Sequence, residues 1–503
     1  MLLSLLTAAT LALPSDGLPV KSPTAVGMSA ERLQAIDRVV LRGLNAGGYP
    51  GASVVVGRKG AAVWEKGFGH IDWSTSSSTV TADRTIYDLA SLSKVVGTTT
   101  AVMVLFDEGK LSLDDPVSKY VPGFSGGLKD QVTIRHLLTH RSGLPPGRDL
   151  WREASSPAEA RQLVINTPLG CRPGACYEYS DLGADMLGFV VEAAAGEPLD
   201  KFLAEKVFGP LGMSDTFYKP ADSLRARIAP TEVTPPRGYP LQGEVHDENA
   251  YALGGVAGHA GLFSTAADLS IFAQMMLNGG TYGGVRVVAD STVAMFTKRE
   301  AGTRALGWDT CNGQGGCGSN LSERAFGHTG YTGTSIWIDP DREMFVVLLT
   351  NRVHAARAKR PAKVIADVRA DLADAAAAAV MDDPDNVLAM PVSFRADRAE
   401  GWNTAERSAR SRHVRSTRAT RRAKALAAKH ASSAKSSKSH STSKSSSAHK
   451  STAKSSAKSS AKSTSKSHAT ASHAASSKKS TAKASSSSAK KTAAKKPAAK
   501  KHR

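Results

Sequence analysis

Large apolar residues all but vanish from this chain after about Ala405, and that break decides how much of it can fold. From there to the C-terminus the sequence is nearly all Ser, Ala, Lys, Arg, Thr and His. Ordering a backbone costs about 1–2 kcal/mol per residue, and burial of apolar side chains is what offsets it. A segment without such side chains stays disordered. Residues 405–503 are therefore expected to form a disordered basic tail, residues 381–404 read as a linker, and the fold must lie before them.

Charge divides at the same place. Of the 65 Lys and Arg residues, 27 lie from Gly401 onward, against one acid of 45, Glu406. The remaining body has 38 basic and 44 acidic residues and is mildly acidic. The formal net charge of +20 thus belongs to the tail and gives no reason to expect nucleic-acid binding by the body. The tail interleaves Lys with Ala and Ser, ends near AKKPAAKK, and resembles histone-type tails. It has no aromatic residue beyond Trp402 on which bases could stack. Two readings stand: a solvated extension, or a segment that binds an anionic polymer or surface. For an exported chain, attachment to a wall or surface is the preferred form of the second.

Export is expected from the other end. Met1 to Leu13 is apolar and small, and reads as the core and end of a secretory signal, although no Lys or Arg precedes the apolar run. The periplasm, the cell surface and the medium are the destinations this allows. No later stretch reaches the ~18 uninterrupted apolar residues of a membrane span. The four cysteines form two close pairs, Cys171 with Cys176 and Cys311 with Cys317, in loops containing Gly. An even count in an exported chain suggests two small-loop disulfides. A four-thiolate zinc site is the rival, but five residues separate the second pair, wider than usual for such sites.

Between the ends, patterning indicates an α/β architecture. Met28 to Ala46 is amphipathic. Ala52 to Gly57 and Ala61 to Gly67 are Val-rich runs around the turn Arg58-Lys59-Gly60, and Thr334 to Ile338 and Met344 to Leu349 flank Asp339-Pro340-Asp341-Arg342. Both are hairpin signals. A helix is expected from near Ser91 to Asp107 and another over Lys363 to Val380, with helices and Pro/Gly-rich loops from Asp114 to about Ala250. Strands at both ends and helices between predict one antiparallel sheet flanked by helices, with a mostly helical insertion, over residues 23–380.

Three short elements carry the chemistry. Ser91-Leu92-Ser93-Lys94 places a hydroxyl and an amine one turn apart on one face, at a helix start where free N–H groups favour negative charge. A lysine can accept a proton when desolvation or nearby cations lower its pKa. Tyr179-Ser180-Asp181 supplies a phenol suited to proton relay. His328-Thr329-Gly330 precedes a late strand whose edge can offer N–H groups to a substrate. Each alone has an ordinary reading as a turn or solvated helix end; the three in this order are much more specific.

At these residues the chain resembles the serine β-lactamases and penicillin-binding proteins, in the branch of class C β-lactamases and DD-peptidases. The resemblance runs from about Pro23 to Val353. It extends to Gly109–Pro116 (GKLSLDDP), Thr133–Leu144 (TIRHLLTHRSGL) and Gly258–Ser264 (GHAGLFS). It implies a β-lactamase/transpeptidase-like fold and a serine hydrolase that forms an acyl-enzyme on Ser91. Lys94 and Tyr179 would share the proton transfers. The N–H groups of Ser91 and Tyr331 would form the oxyanion hole, and Asp181, His328, Thr329 and Gly330 would line the substrate. The substrate would be a D-Ala-D-Ala peptide, a β-lactam or a small ester, with no cofactor or metal. Two departures matter. Asp181 stands where the family more often has Asn, and His328 where β-lactamases have Lys, which puts efficient β-lactam hydrolysis in doubt. The rival function is a penicillin-binding or surface-binding protein that has lost turnover, with the tail as its working part.

Other candidates are weaker. Gly123-Phe-Ser-Gly-Gly127 matches G-x-S-x-G, but loops rather than a strand and a helix flank it. His246, Asp247, Glu248 and His259 match no helical zinc spacing. His136 and His140 are explained by packing and loop hydrogen bonds.

Deleting the residues after about Gly401 is expected to spare turnover of small substrates and to weaken binding to anionic surfaces. Binding by the full chain should fall steeply with salt as Lys contacts release counterions. Salt-independent binding in a retention assay would contradict this reading of the tail.

Overall fold

A computed structural model describes residues 17–233, 235–354, 362–382 and 387–402. The signal-like Met1 to Leu13 and the 405–503 tail lie outside them. Eleven strands occur among the described residues: β1 (Gly51–Arg58), β2 (Ala61–Gly69), β3 (Tyr87–Asp88), β4 (Phe217–Tyr218), β5 (Leu262–Ser264), β6 (Thr281–Tyr282), β7 (Val285–Arg286), β8 (Asp309–Thr310), β9 (Phe326–Thr329), β10 (Ser335–Asp339) and β11 (Met344–Thr350).

Six of them form the main sheet, in the order β2-β1-β11-β10-β9-β8, with antiparallel neighbours throughout. The N-terminal hairpin thus joins the C-terminal one through β1 and β11, with Val54 opposite Leu348 and Val56 opposite Val346. Lys59 and Gly60 close the first hairpin with φ of 49° and 80°. Positive φ at both positions gives the turn whose twist matches that of the strands.

These strands read as unbroken apolar runs because both faces of the sheet are covered. Successive side chains point to opposite faces, and the core divides accordingly. Val55, Phe345, Val347 and Leu349 enter one cluster with Leu269, Phe272 and Met276 of the helix Ala266–Leu277. Val54, Val56, Val346 and Leu348 enter another, with Ile36, Val39 and Val40 of the helix Ala35–Asn45 and Val364, Val368 and Leu372 of Lys363–Ala378. The expected α/β architecture is present, with the helical insertion lying between β2 and the late strands. No helix among the described residues is long and apolar enough to cross a membrane.

The segment expected as one helix from Ser91 to Asp107 has three parts: a tight turn over Ala90–Leu92, a wide turn over Ser93–Thr99 and a regular helix over Thr100–Asp107. The Thr100 hydroxyl donates to the Val95 carbonyl five residues back at 2.9 Å, in keeping with the wider winding. Both cysteine pairs are disulfides, Cys171–Cys176 and Cys311–Cys317.

The region read as a linker contains packed structure. Phe394 and Trp402 are buried, and the Trp402 indole N–H donates to Asp367 at 2.8 Å. Arg395 reaches Asp371 at 2.9 Å and Asp374 at 2.7 Å. Two anchors spaced among polar residues leave no periodic signal, so composition alone suggested a tether. A truncation that keeps the body whole must therefore end beyond Trp402.

Candidate functional site

The three sequence elements converge near the end of β3, where the loop after β9 is tied to Asp88 and Leu89. Strand β3 ends at Asp88, and Ala90 follows with φ of 47°, a left-handed conformation that non-glycine residues seldom adopt. Asp88 holds it there by accepting from the Ala90 N–H at 2.8 Å, while its other oxygen accepts from the His246 N–H at 2.7 Å. Burial raises the Asp88 carboxyl to about 6, opposed by those two amides. The backbone therefore turns sharply just before Ser91.

Ser91 is partly exposed and Lys94 is buried beneath it. The Lys94 ammonium meets three oxygens: Ser91 Oγ at 2.9 Å, the His259 carbonyl at 3.1 Å and Asp181 Oδ1 at 2.7 Å. Two N–H groups donate to Ser91 and to the His259 carbonyl, and Asp181 faces the ammonium as an ion pair. Burial by itself pulls the Lys94 pKa down, but the Asp181 carboxylate and Tyr179 override it and hold the amine well above the ordinary lysine value. Lys94 is thus a cation in this arrangement.

Tyr179 lies over Lys94, with the ammonium 5.1 Å from its ring centre. His140 packs against the ring at 4.6 Å and accepts from the Ser180 N–H at 3.1 Å, while its carbonyl accepts from Glu178 N–H at 2.9 Å. His140 therefore fixes the short segment that carries Tyr179. Ser180 caps the helix Asp181–Ala195, which places Asp181 in the first turn, where a carboxylate is favoured.

His328 on β9 stacks against Tyr179 at 6.1 Å. Burial, then Arg304 and Lys94, push its imidazole well below the ordinary range, so it is neutral. Thr329 follows, and Gly330 opens the loop to β10. A Cβ on Gly330 would sit 2.0 Å from Thr334 Oγ1 and 2.3 Å from the Leu89 carbonyl, so only glycine fits. Thr332 and Thr334 donate to the carbonyls of Asp88 and Leu89 at 2.7 and 2.9 Å. These bonds bind the loop that carries Tyr331 to the residues just before Ser91.

Of the predicted residues, Ser91, Lys94, Tyr179, Asp181 and His328 meet in one cluster, while Thr329, Gly330 and Tyr331 follow on the loop tied to Asp88 and Leu89, with the Tyr331 ring stacked on His246 at 5.9 Å. Sequence reasoning missed Arg304. Its guanidinium lies 5.2 Å over Tyr179, donates to the Tyr177 hydroxyl at 3.1 Å, pairs with Asp309 at 2.9 Å and reaches within 3.5 Å of His328 Nε2. It sits in a patternless stretch before β8, so no local signal marked it. Ser125 of the G-x-S-x-G match lies on an exposed loop and donates to Pro122.

The Beta-lactamase family model matches residues 36–370. The chain belongs to the beta-lactamase family. Over 376 residues it is 35% identical to the "Putative D-alanyl-D-alanine carboxypeptidase" of Escherichia coli K12, covering 67% of this chain and 86% of that protein. A relative of the same name from Salmonella schwarzengrund shows 35% identity, covering 67% of this chain and 87% of that protein. Among solved structures it shares its fold with a penicillin-binding protein homologue from Caulobacter crescentus (TM-score 0.56, 22% identity, 70% of this chain and 99% of the other). It also shares it with EstCE1, a hydrolase with promiscuous acyltransferase activity (TM-score 0.55, 23% identity, 69% and 99%). The protein is a serine hydrolase of this family.

Asp181→Asn removes the charge that holds Lys94 protonated. Burial then acts with less opposition and Lys94 loses its proton at lower pH. Because the mechanism proposed below needs the Lys94 charge, activity should be lost on the alkaline side at lower pH in this variant than in the wild type, and an unchanged alkaline limb would count against the Lys94–Asp181 pair as its cause.

Proposed function

We propose that this protein is an exported acyl hydrolase of the DD-carboxypeptidase type, acting through an acyl-enzyme on Ser91. The observation that carries the reading is the Lys94 ammonium beneath Ser91 Oγ, bonded also to the His259 carbonyl and ion-paired with Asp181. Held charged by the Asp181 ion pair, Lys94 orients Ser91 and supplies positive charge rather than receiving the serine proton. That proton passes to Tyr179 in its deprotonated form, whose charge is met by Lys94 and Arg304 beside the ring. Ser91 Oγ attacks the acyl carbonyl, and the tetrahedral oxyanion is received by the N–H groups of Ser91 and Tyr331. Tyr179 returns the proton to the leaving nitrogen as the scissile bond breaks. Water then attacks the ester, giving its proton to Tyr179, and the acid departs as Ser91 Oγ is reprotonated.

The substrate we infer is a peptide ending in D-Ala-D-Ala, as the names of the relatives suggest. Neutral His328 offers no charge to its terminal carboxylate; Arg304 beside it does. Thr329, partly exposed at the end of β9, offers a hydroxyl one residue beyond His328. The leading segment directs export, and the tail holds the enzyme on an anionic wall polymer, where such peptides occur.

A panel of a D-Ala-D-Ala peptide, nitrocefin and a nitrophenyl ester tests the reading. Peptide and ester should turn over faster than nitrocefin, and Ser91→Ala should lower every rate by on the order of 10³-fold or more. Arg304→Gln should raise KM for the peptide by about tenfold, in line with a lost charged hydrogen bond, while KM for the uncharged ester stays unchanged and kcat falls on both, because Arg304 also meets the charge of Tyr179. Near-wild-type turnover in Ser91→Ala would remove Ser91 from its role.

A further inference from the structure

The helix Asp181–Ala195 carries a second carboxylate one turn beyond Asp181. Asp185, at i+4, shares its face and is fully buried. Its Oδ1 lies 2.6 Å from Nδ1 of His259. The other ring nitrogen, Nε2, lies 2.9 Å from Asp247 Oδ1. With both carboxylates ionised, both ring nitrogens donate and His259 is an imidazolium; burial pushes the Asp185 carboxyl up, opposed by the His259 charge. Burial opposes that charge, but Asp185 and Asp247 together hold the ring well above its ordinary value. Asp247 Oδ1 also accepts from the N–H groups of Asn249 and Ala250, both at 2.9 Å, and so caps the helix Glu248–Ala252. Asp247 and His259 stood on sequence with His246 and Glu248 as weak metal-ligand candidates; here Asp247 and His259 pair with each other, and His259 with Asp185.

The backbone of the same histidine reaches the site. Its carbonyl accepts from Lys94, and the preceding Gly258 carbonyl accepts from the Thr98 hydroxyl at 2.7 Å, one turn beyond Lys94. Gly258 lies so close to the helix Asp181–Ala195 that a Cβ there would sit 2.0 Å from the Ala184 carbonyl. The peptide between Gly258 and Ala260 is thus gripped by the helix that supplies Asp181 and by the segment that supplies Lys94.

We propose that the Asp185–His259–Asp247 clamp is a positioning device for Lys94. Held at both nitrogens, the ring cannot rotate, and this fixes the His259 carbonyl as the acceptor for one ammonium proton. The ammonium is thereby held with a proton on Ser91 and its charge facing Asp181. The role goes beyond the site residues named above and rests on the reading of Ser91 as nucleophile. One helix then sets both sides of Lys94: Asp181 directly, and Asp185 through His259. His259 touches no substrate in this account.

His259→Gln tests the clamp, measured on the nitrophenyl ester beside Ser91→Ala. Misplacing a catalytic group by about 1 Å costs about 10²-fold, so kcat should fall by that order while KM stays within a few-fold. Asp247→Asn, which keeps an acceptor for the ring, should lose much less kcat than Asp247→Ala. Melting temperatures are recorded for each variant, so that a loss of folded protein is separated from a loss of positioning. A folded His259→Gln with wild-type kcat overturns the proposal, as does a kcat loss that merely follows the unfolded fraction. If His259→Gln does not fold, the Asp247→Ala and Asp247→Asn pair decides: equal kcat in the two overturns it. Loss of turnover in Ser91→Ala with none in the clamp variants sinks the clamp alone. Full turnover in Ser91→Ala sinks the nucleophile reading itself.

Discussion

A buried lysine ammonium is stable only if the protein replaces the water it has lost, and three oxygens around Lys94 do so. An uncompensated buried charge is costly enough that such a group would normally shed its proton. Here Asp181 reverses the direction and the amine stays charged. The three oxygens come from three separate parts of the chain: the turn at Ser91, the start of the helix Asp181–Ala195, and the backbone before β5. Each must be held in place for the charge to be tolerated, and much of the local architecture does that holding.

The strained turn at Ala90 is pinned by Asp88, and the loop after β9 is pinned to the same strand by Thr332 and Thr334. His140 holds the Tyr179 segment. Beneath these the main sheet, sealed by helices on both faces, joins strands from the two ends of the body. Loops carry the chemistry and a rigid scaffold positions them. The charges near Tyr179 follow from this arrangement. Lys94 and Arg304 flank a ring whose oxygen, in the proposed mechanism, alternately takes and gives a proton, while His140 and His328 are kept neutral beside it.

Much of this was legible in the sequence, for identifiable reasons. Val-rich runs around Lys59-Gly60 and around Asp339–Arg342 announced the hairpins because period and turn chemistry are local. Ser91 and Lys94 were legible through their spacing, and Tyr179, Asp181 and His328 through their order along the chain. Asp181 was expected to face Lys94, and it does. Arg304 was not legible, since its importance comes only from the three-dimensional approach of Tyr177, Tyr179 and His328. His259 lay within a quoted motif, yet its partners Asp185 and Asp247 are 74 and 12 residues away. Trp402 was lost for a related reason: one aromatic at the edge of a polar stretch gives no period, although its packing on Asp367 extends the body past Val380.

The claim on which the account turns is that Lys94 is charged in the resting enzyme, so that Tyr179 receives the Ser91 proton. Lysine side chains labelled with carbon-13 at Cε report ionisation directly by NMR, and Lys94→Arg identifies the resonance. The account predicts that the Lys94 signal keeps its protonated shift through neutral pH and titrates above the surface lysines. A Lys94 signal that titrates near neutrality, below the other lysines, would contradict it and return the role of base to Lys94.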